Sequence, residues 1–167
     1  MKKLKRKKKG GKHFLNYLGN KEILRHYKIG FLCSRKVPAN IILKTYDWAI
    51  EKRDKGVCIV SGFHSKIEKD VFEILIKGTQ PIILVLARGL LKRFDKILLN
   101  LIDENRLLII SPFDKKITRP TSQTAIKRNK VIVEISDKIF IPYSTVGGNI
   151  DKIQNTFRIK LIGTNAD

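Results

Sequence analysis

The chain has 167 residues, 43 % hydrophobic and 30 % charged, enough for one buried core and too few for two full domains, and its composition excludes global disorder. Its 35 Lys+Arg against 15 Asp+Glu give a formal net charge of +20, a field that draws polyanions and opposes self-association. No window approaches ~18 uninterrupted apolar residues, no apolar run follows the basic start to make a secretory signal, and the three histidines and two cysteines are scattered, so a membrane partner, export, a metal site and a cofactor are not expected, and a cytoplasmic location is.

Residues 1–27 read as a basic N-terminal tail with room for one short helix near Lys21–His26, and residues 28–167 as the folded domain. Met1–Lys12 holds eight of the Lys+Arg and none of the acids, so the remainder still carries 27 basic against 15 acidic residues. Biased codon usage with solvated lysines would give the same composition, so charge alone does not fix a ligand.

The first apolar run, Ile29–Cys33, reads as a short buried strand ending at Ser34–Arg35–Lys36, with Pro38 closing the turn. A helix follows, with Ile41, Ile42, Thr45, Trp48 and Ala49 at helical spacing and a basic last turn before Gly56. The grammar then repeats. Strand Val57–Val60 leads through Ser61–Gly62–Phe63–His64–Ser65 to a helix ending near Lys77–Gly78, whose inward face is Ile67, Val71, Leu75 and Ile76. Strand Ile82–Leu86 leads through Ala87–Arg88–Gly89 to a helix over Phe94–Ile102, then strand Leu107–Ile110 and the turn Ser111–Pro112–Phe113. After the polar stretch Asp114–Pro120 the spacing predicts a helix over Thr121–Ile135, a strand at Ile139–Ile141, the turn Tyr143–Asn149, a short helix, and a last strand near Phe157–Ile162. Cys33 and Cys58 sit within apolar runs as small hydrophobes.

Short unalternated apolar runs separated by helical patterns belong to parallel strands covered on both faces. The fold class is therefore α/β, a Rossmann-like, doubly wound, mainly parallel sheet of about six strands with helices on both faces.

Ligands of such sheets bind at the carboxyl ends of the strands. Those ends carry Ser34, Arg35 and Lys36, then Ser61, Gly62, His64 and Ser65, then Arg88, then Ser111, then Gly147 and Gly148, with no carboxylate among them. Glycine admits a phosphate close to the backbone, serine donates a hydroxyl, and arginine forks onto phosphate oxygens. Turn-forming needs alone would place serine and glycine at many strand ends; five such ends on one edge point to an anion. Arg128 and Asn129 join the set, since a helix starting near Thr121 aims one of its turns toward the same edge. Glu68 stands three residues after Ser65, the spacing of a helix-capping box, which we weigh above a catalytic role. The chain has neither G-x-G-x-x-G after the first strand, nor a Walker A loop, nor a G-x-S-x-G elbow. No residue is nominated as catalytic.

The order Cys33–Ser34–Arg35, Ser61 to Glu68, Leu86 to Gly89, Leu107 to Pro112, Arg128–Asn129 and Gly147–Gly148 resembles the DNA-processing protein A (DprA/Smf) family. That family runs G-S-R, S-G-x-A-x-G-I-D, T-I-x-V-L, L-x-S-E-x-P, R-N-R-x-I and S-G-S in the same order, and the likeness spans about Ile29 to Ile150. Cys33 and Lys66 replace family glycines, Glu68 an aspartate and Phe72 a histidine, and Ser111 lacks the acid that follows it in the family. The resemblance implies a divergent, minimal member without the family's helical N-terminal and winged-helix-like C-terminal domains. It further implies single-stranded DNA as the partner, bound without strong sequence preference, and help in loading a RecA-type recombinase during DNA uptake and transformation; a homodimer is compatible with it.

A second reading keeps a nucleotide-derived small molecule in the same crevice, sensed or hydrolysed. A phosphoribohydrolase of the wider superfamily would carry P-G-G-x-G-T-x-x-E, whereas Val146–Asp151 keeps only the two glycines. A third makes the domain a holder of a protein partner, with the tail as an adhering arm.

Overall fold

In a computed structural model that describes residues 15–157, six strands form one sheet in the order β1-β5-β4-β3-β2-β6. These are β1 (Asn16–Gly19), β2 (Lys28–Phe31), β3 (Cys58–Ser61), β4 (Ile82–Val85), β5 (Leu107–Ser111) and β6 (Lys138–Phe140). All neighbours pair in parallel except β1, which runs antiparallel to β5 with Tyr17 opposite Ile110. Four α-helices connect strands β2 to β6, α1 (Ala39–Asp54), α2 (Lys66–Leu75), α3 (Lys96–Asp103) and α4 (Ser122–Ile135), and α5 (Asn149–Phe157) follows β6.

The unalternated apolar runs are buried on both faces, and the period of two within each decides which helices they meet. Ile59, Ile82, Leu84 and Ile109 face α1, α2 and α3. Val60, Ile83, Val85 and Ile110 face α4 and α5. On the second face α4 approaches β2 closely, because Gly30 has no side chain: a Cβ there would lie 2.6 Å from Ile139 Cδ1 and 2.7 Å from Ser136 Oγ. Beside it, the Lys28 backbone N–H donates to Asp137 Oδ2 at 2.7 Å, which fixes β6 against β2.

This path creates a switch point. From β2 the chain winds outward through β3 and β4 to β5, with its helices on one face. It then returns through α4 on the other face to place β6 on the far side of β2. The helices that follow β2 and β6, α1 and α5, lie on opposite faces there, the arrangement that opens a crevice at the carboxyl ends.

Two expectations are corrected. Residues 16–19 form an edge strand inside the segment read as a tail, followed by a 3-10 helix at Lys21–Arg25 where a short helix was expected. Four half-buried residues containing one asparagine and one glycine give too short a pattern to separate from a polar leader. The sixth strand is thus β1. Phe157 lies in α5, not at the start of a strand, and the rest of the strand expected near Phe157–Ile162 lies outside the described residues.

Candidate functional site

A cleft of about 620 Å³ opens at this switch point. Its floor begins at the end of β2, where Ser34 joins two loops: its N–H donates to the Tyr143 carbonyl at 3.1 Å, and its Oγ accepts from the Thr145 N–H at 2.9 Å. Arg35 and Lys36 follow, exposed at the rim and without an ion pair among the described residues.

The end of β3 builds the opposite wall. Phe63 takes a left-handed φ of 45°, costly for a residue with a side chain, and its ring is held against Phe72 at 4.9 Å between centroids. Beyond that turn the N–H groups of His64 and Ser65 both donate to Glu68 Oε2, at 2.8 and 3.0 Å. Ser65 Oγ accepts from the Glu68 N–H at 3.3 Å, so the capping box read from the spacing is present and α2 starts at the cleft. Glu68 is only 3 % exposed and lines the cleft, so a carboxylate does reach it, from one helical turn beyond the strand end.

From above, α4 lowers Arg128 and Asn129, 7 % and 3 % exposed, into the same space. Arg128 Nε donates to Asn129 Oδ1 at 3.1 Å, its sole hydrogen bond among the described residues, and no carboxylate pairs with it. Burial lowers the Arg128 pKa and the nearby Arg35 charge adds to that, while Glu68 opposes both. A guanidinium starts from so high a pKa that it remains charged. His64 responds differently. Burial pulls its pKa below the ordinary 6.5, Arg128 pulls it further, and the ring is therefore neutral at pH 7.

Three helix N-termini converge here: α2 at Ser65, α4 at Thr121 and Ser122, and α5 at Gly148 and Asn149. Each presents unsatisfied N–H groups and the positive end of a peptide dipole. With Arg35, Lys36 and Arg128 these make a site for an anion with several acceptor oxygens.

The structure brings together Ser34, Arg35, Lys36, His64, Ser65, Arg128, Asn129 and Gly148. Four nominated residues stand elsewhere. Ser61 is fully buried and its Oγ accepts from the Phe63 N–H, an internal turn contact. Gly62 lies beneath Arg128 instead of on the cleft wall. Gly147 sits at φ 74° and donates its N–H to Asp151 Oδ2 at 2.8 Å, which shapes the turn into α5. Arg88 is outside the lining; its carbonyl accepts from Ser111 Oγ at 2.6 Å, joining the ends of β4 and β5.

Thr121, Ser122, Thr145 and Asn149 line the cleft and were not nominated. Thr121 could have been found, since its side chain accepts from the Thr124 N–H at Thr-x-x-Thr spacing to start α4. Cys33, also in the lining, has its thiol pushed up to about 12 by burial and by Glu68, so it contributes a neutral group. Among the described residues no three His, Cys, Asp or Glu gather to hold a metal, and no helix is long and apolar enough to cross a membrane.

A sequence profile for DNA recombination-mediator protein A matches residues 2–156. Two solved structures share the fold. The single-stranded DNA-binding DNA processing protein A of Helicobacter pylori superposes with a TM-score of 0.72 at 18 % identity, over 92 % of this chain and 72 % of that one. DNA processing protein A of Streptococcus pneumoniae gives 0.70 at 18 % identity, over 88 % of this chain and 53 % of that one, so this chain spans about half its length. No curated protein sequence matches the chain.

Proposed function

This chain belongs to the DNA recombination-mediator protein A family, and from that premise we propose that it binds single-stranded DNA by seating a backbone phosphate in the cleft at the switch point. The observation that carries the reading is Arg128, a guanidinium 7 % exposed with no carboxylate partner among the described residues, facing a space where three helices begin. A buried charge left unpaired is expensive, and an anionic ligand supplies the missing partner. Arg35 and Lys36 meet the next phosphates at the rim. Lys115, Lys116 and Arg119, exposed ahead of α4 and without ion pairs among the described residues, extend the positive surface along the strand.

The test is a fluorescence-anisotropy titration of a thirty-base single-stranded oligonucleotide against salt. Binding is expected to weaken steeply as salt rises, since displaced counterions drive it, and to weaken further on Arg35→Ala and Arg128→Ala. Indifference to salt and to both substitutions would overturn the reading.

The same reading extends to a RecA-type recombinase as receiver of the strand, to a homodimer and to a cytoplasmic location. Co-sedimentation with a recombinase filament and the mass of the protein in solution test the first two.

The cleft volume of about 620 Å³ favours one further reading, since small-ligand sites span roughly 300–1,000 Å³. A nucleotide-derived small molecule would bind there through its phosphate. Thermal shifts across a panel of nucleotides test it, and no shift with any of them counts against it.

A further inference from the structure

Glu68 and Arg128 face the same cleft as opposite charges that do not touch. They influence each other electrostatically, yet no nitrogen of Arg128 comes within 4.0 Å of a Glu68 oxygen. Each is also left half-used. Glu68 Oε2 accepts from the backbone N–H groups of His64 and Ser65, whereas Oε1 accepts from no described residue. The Arg128 terminal nitrogens donate to no described residue. With side chains 3 % and 7 % exposed, bulk water compensates neither charge fully.

A ligand that completes both groups carries an acceptor for Arg128 and, a few ångströms away, a donor for Glu68. A phosphodiester of DNA supplies the first but not the second, because an internal deoxyribose has no hydroxyl. A ribose has one beside the phosphate, the 2′-hydroxyl. A carboxylate oxygen is the group with which α/β folds receive such a hydroxyl, and the 2′-hydroxyl distinguishes RNA from DNA at a given site.

We propose that the cleft is selective for ribose, with Glu68 Oε1 accepting from the 2′-hydroxyl of the nucleotide whose phosphate meets Arg128. The proposal rests on the reading that this phosphate occupies the cleft. It makes single-stranded RNA, or a ribonucleotide end, a better occupant than DNA of the same base sequence. Nearby fixed dipoles do not undo the preference. The N-terminus of α2 already engages Glu68 through Oε2 and leaves Oε1 without a described partner.

The experiment compares three decamers of identical base, oligo-uridylate, its 2′-deoxy form and its 2′-fluoro form, by fluorescence anisotropy with the full chain. The fluoro sugar keeps a ribose-like pucker but cannot donate, which isolates the hydrogen bond. The ribo form is expected to bind about tenfold more tightly than either analogue, the size of one charge-assisted hydrogen bond. In Glu68→Gln the amide oxygen can keep the cap on His64 and Ser65 while the NH₂ replaces the free oxygen, and the ratio is expected to fall toward one.

Equal binding of all three by the natural chain overturns the proposal while leaving the phosphate reading intact. The same holds for a ribose preference that Glu68→Gln leaves unchanged. A Glu68-dependent preference for deoxycytidylate over deoxythymidylate decamers, with no effect of the sugar, assigns Oε1 to a base amine and also overturns it. Failure of every decamer to bind removes the phosphate reading and the proposal together. Circular dichroism melting of Glu68→Gln confirms that the ratio is read on folded protein.

Discussion

The Arg128 guanidinium fills the space that a side chain on Gly62 would occupy: a Cβ at that position would lie 2.7 Å from Cζ, 2.7 Å from Nε and 2.8 Å from Nη1. The glycine after β3 therefore lets a buried cation settle over the strand end.

Gly62→Ala should accordingly act on binding more than on folding. The clash falls on the far end of a flexible side chain, so Arg128 can shift and the loss of stability should stay near or below ~1 kcal/mol. Displacement from its geometry should weaken oligonucleotide binding by about tenfold, the scale of one lost charge-assisted hydrogen bond. A titration paired with a denaturation curve checks both; an unchanged affinity would show that Arg128 is not the anion's partner.

Arg128 itself should trade stability against function. Its buried charge has no carboxylate partner among the described residues, so replacing it with an apolar chain of similar length relieves a desolvation cost. Arg128→Met is expected to leave the melting temperature unchanged or raise it by about 2–4 °C, the shift of about 1 kcal/mol in a chain of this size, while weakening oligonucleotide binding and flattening its salt slope by about one. Arg128→Lys should recover little affinity, since a lysine cannot both bond Asn129 and fork onto a phosphate.

Ser65 gives the opposite pattern. Its hydroxyl caps α2 by accepting from the Glu68 N–H, so Ser65→Ala should cost about 1 kcal/mol of stability. Urea denaturation measures that loss, and the same variant should bind DNA within about twofold of the natural chain, because the cap is spent on the helix.

His64 should make binding depend on pH. Its pKa in the folded protein lies below the ordinary 6.5, first through burial and then through Arg128, with Lys69 and Arg35 acting the same way and Glu68 opposing. Below pH 6.5 the unfolded chain protonates this ring before the folded one does. The folded state therefore loses stability as pH falls through that window and regains it as pH rises. A bound phosphate reverses the local field, raises the pKa and favours proton uptake. Affinity for the oligonucleotide should thus rise by about threefold from pH 7.5 to about 5.5, as one extra charge meets the backbone. His64→Asn should remove that rise.

Much of the architecture was legible because parallel strands buried on both faces leave continuous apolar runs. Ile82–Val85 and Leu107–Ser111 have no exposed residue, and their flanking turns carry the glycine, proline and serine that mark chain reversal. Edge strand β1 escaped because an edge needs only one buried face and can be four residues long. Of the residues lining the cleft, Ser34, Arg35 and Ser65 could be read from their positions at strand ends. Thr121 was passed over because it precedes a helix, and Glu68 was read as the capping partner it is while its place in the cleft lining was not, because it lies within a helix.

What the sequence determined by itself was the alternation of strand and helix, the basic balance, and the family order running from Ser34 to Gly148, all of which are local or compositional properties. What the tertiary structure alone decided was which of those strand ends meet. Sequence distance does not reveal that β6 returns beside β2, so only the assembled sheet sets Arg128 over Gly62 and leaves Ser61 and Arg88 outside the cleft. The reason is physical: burial, and the lack of a carboxylate partner among the described residues, belong to an arrangement of neighbours in space, and these two properties set Arg128 apart from the many other basic residues.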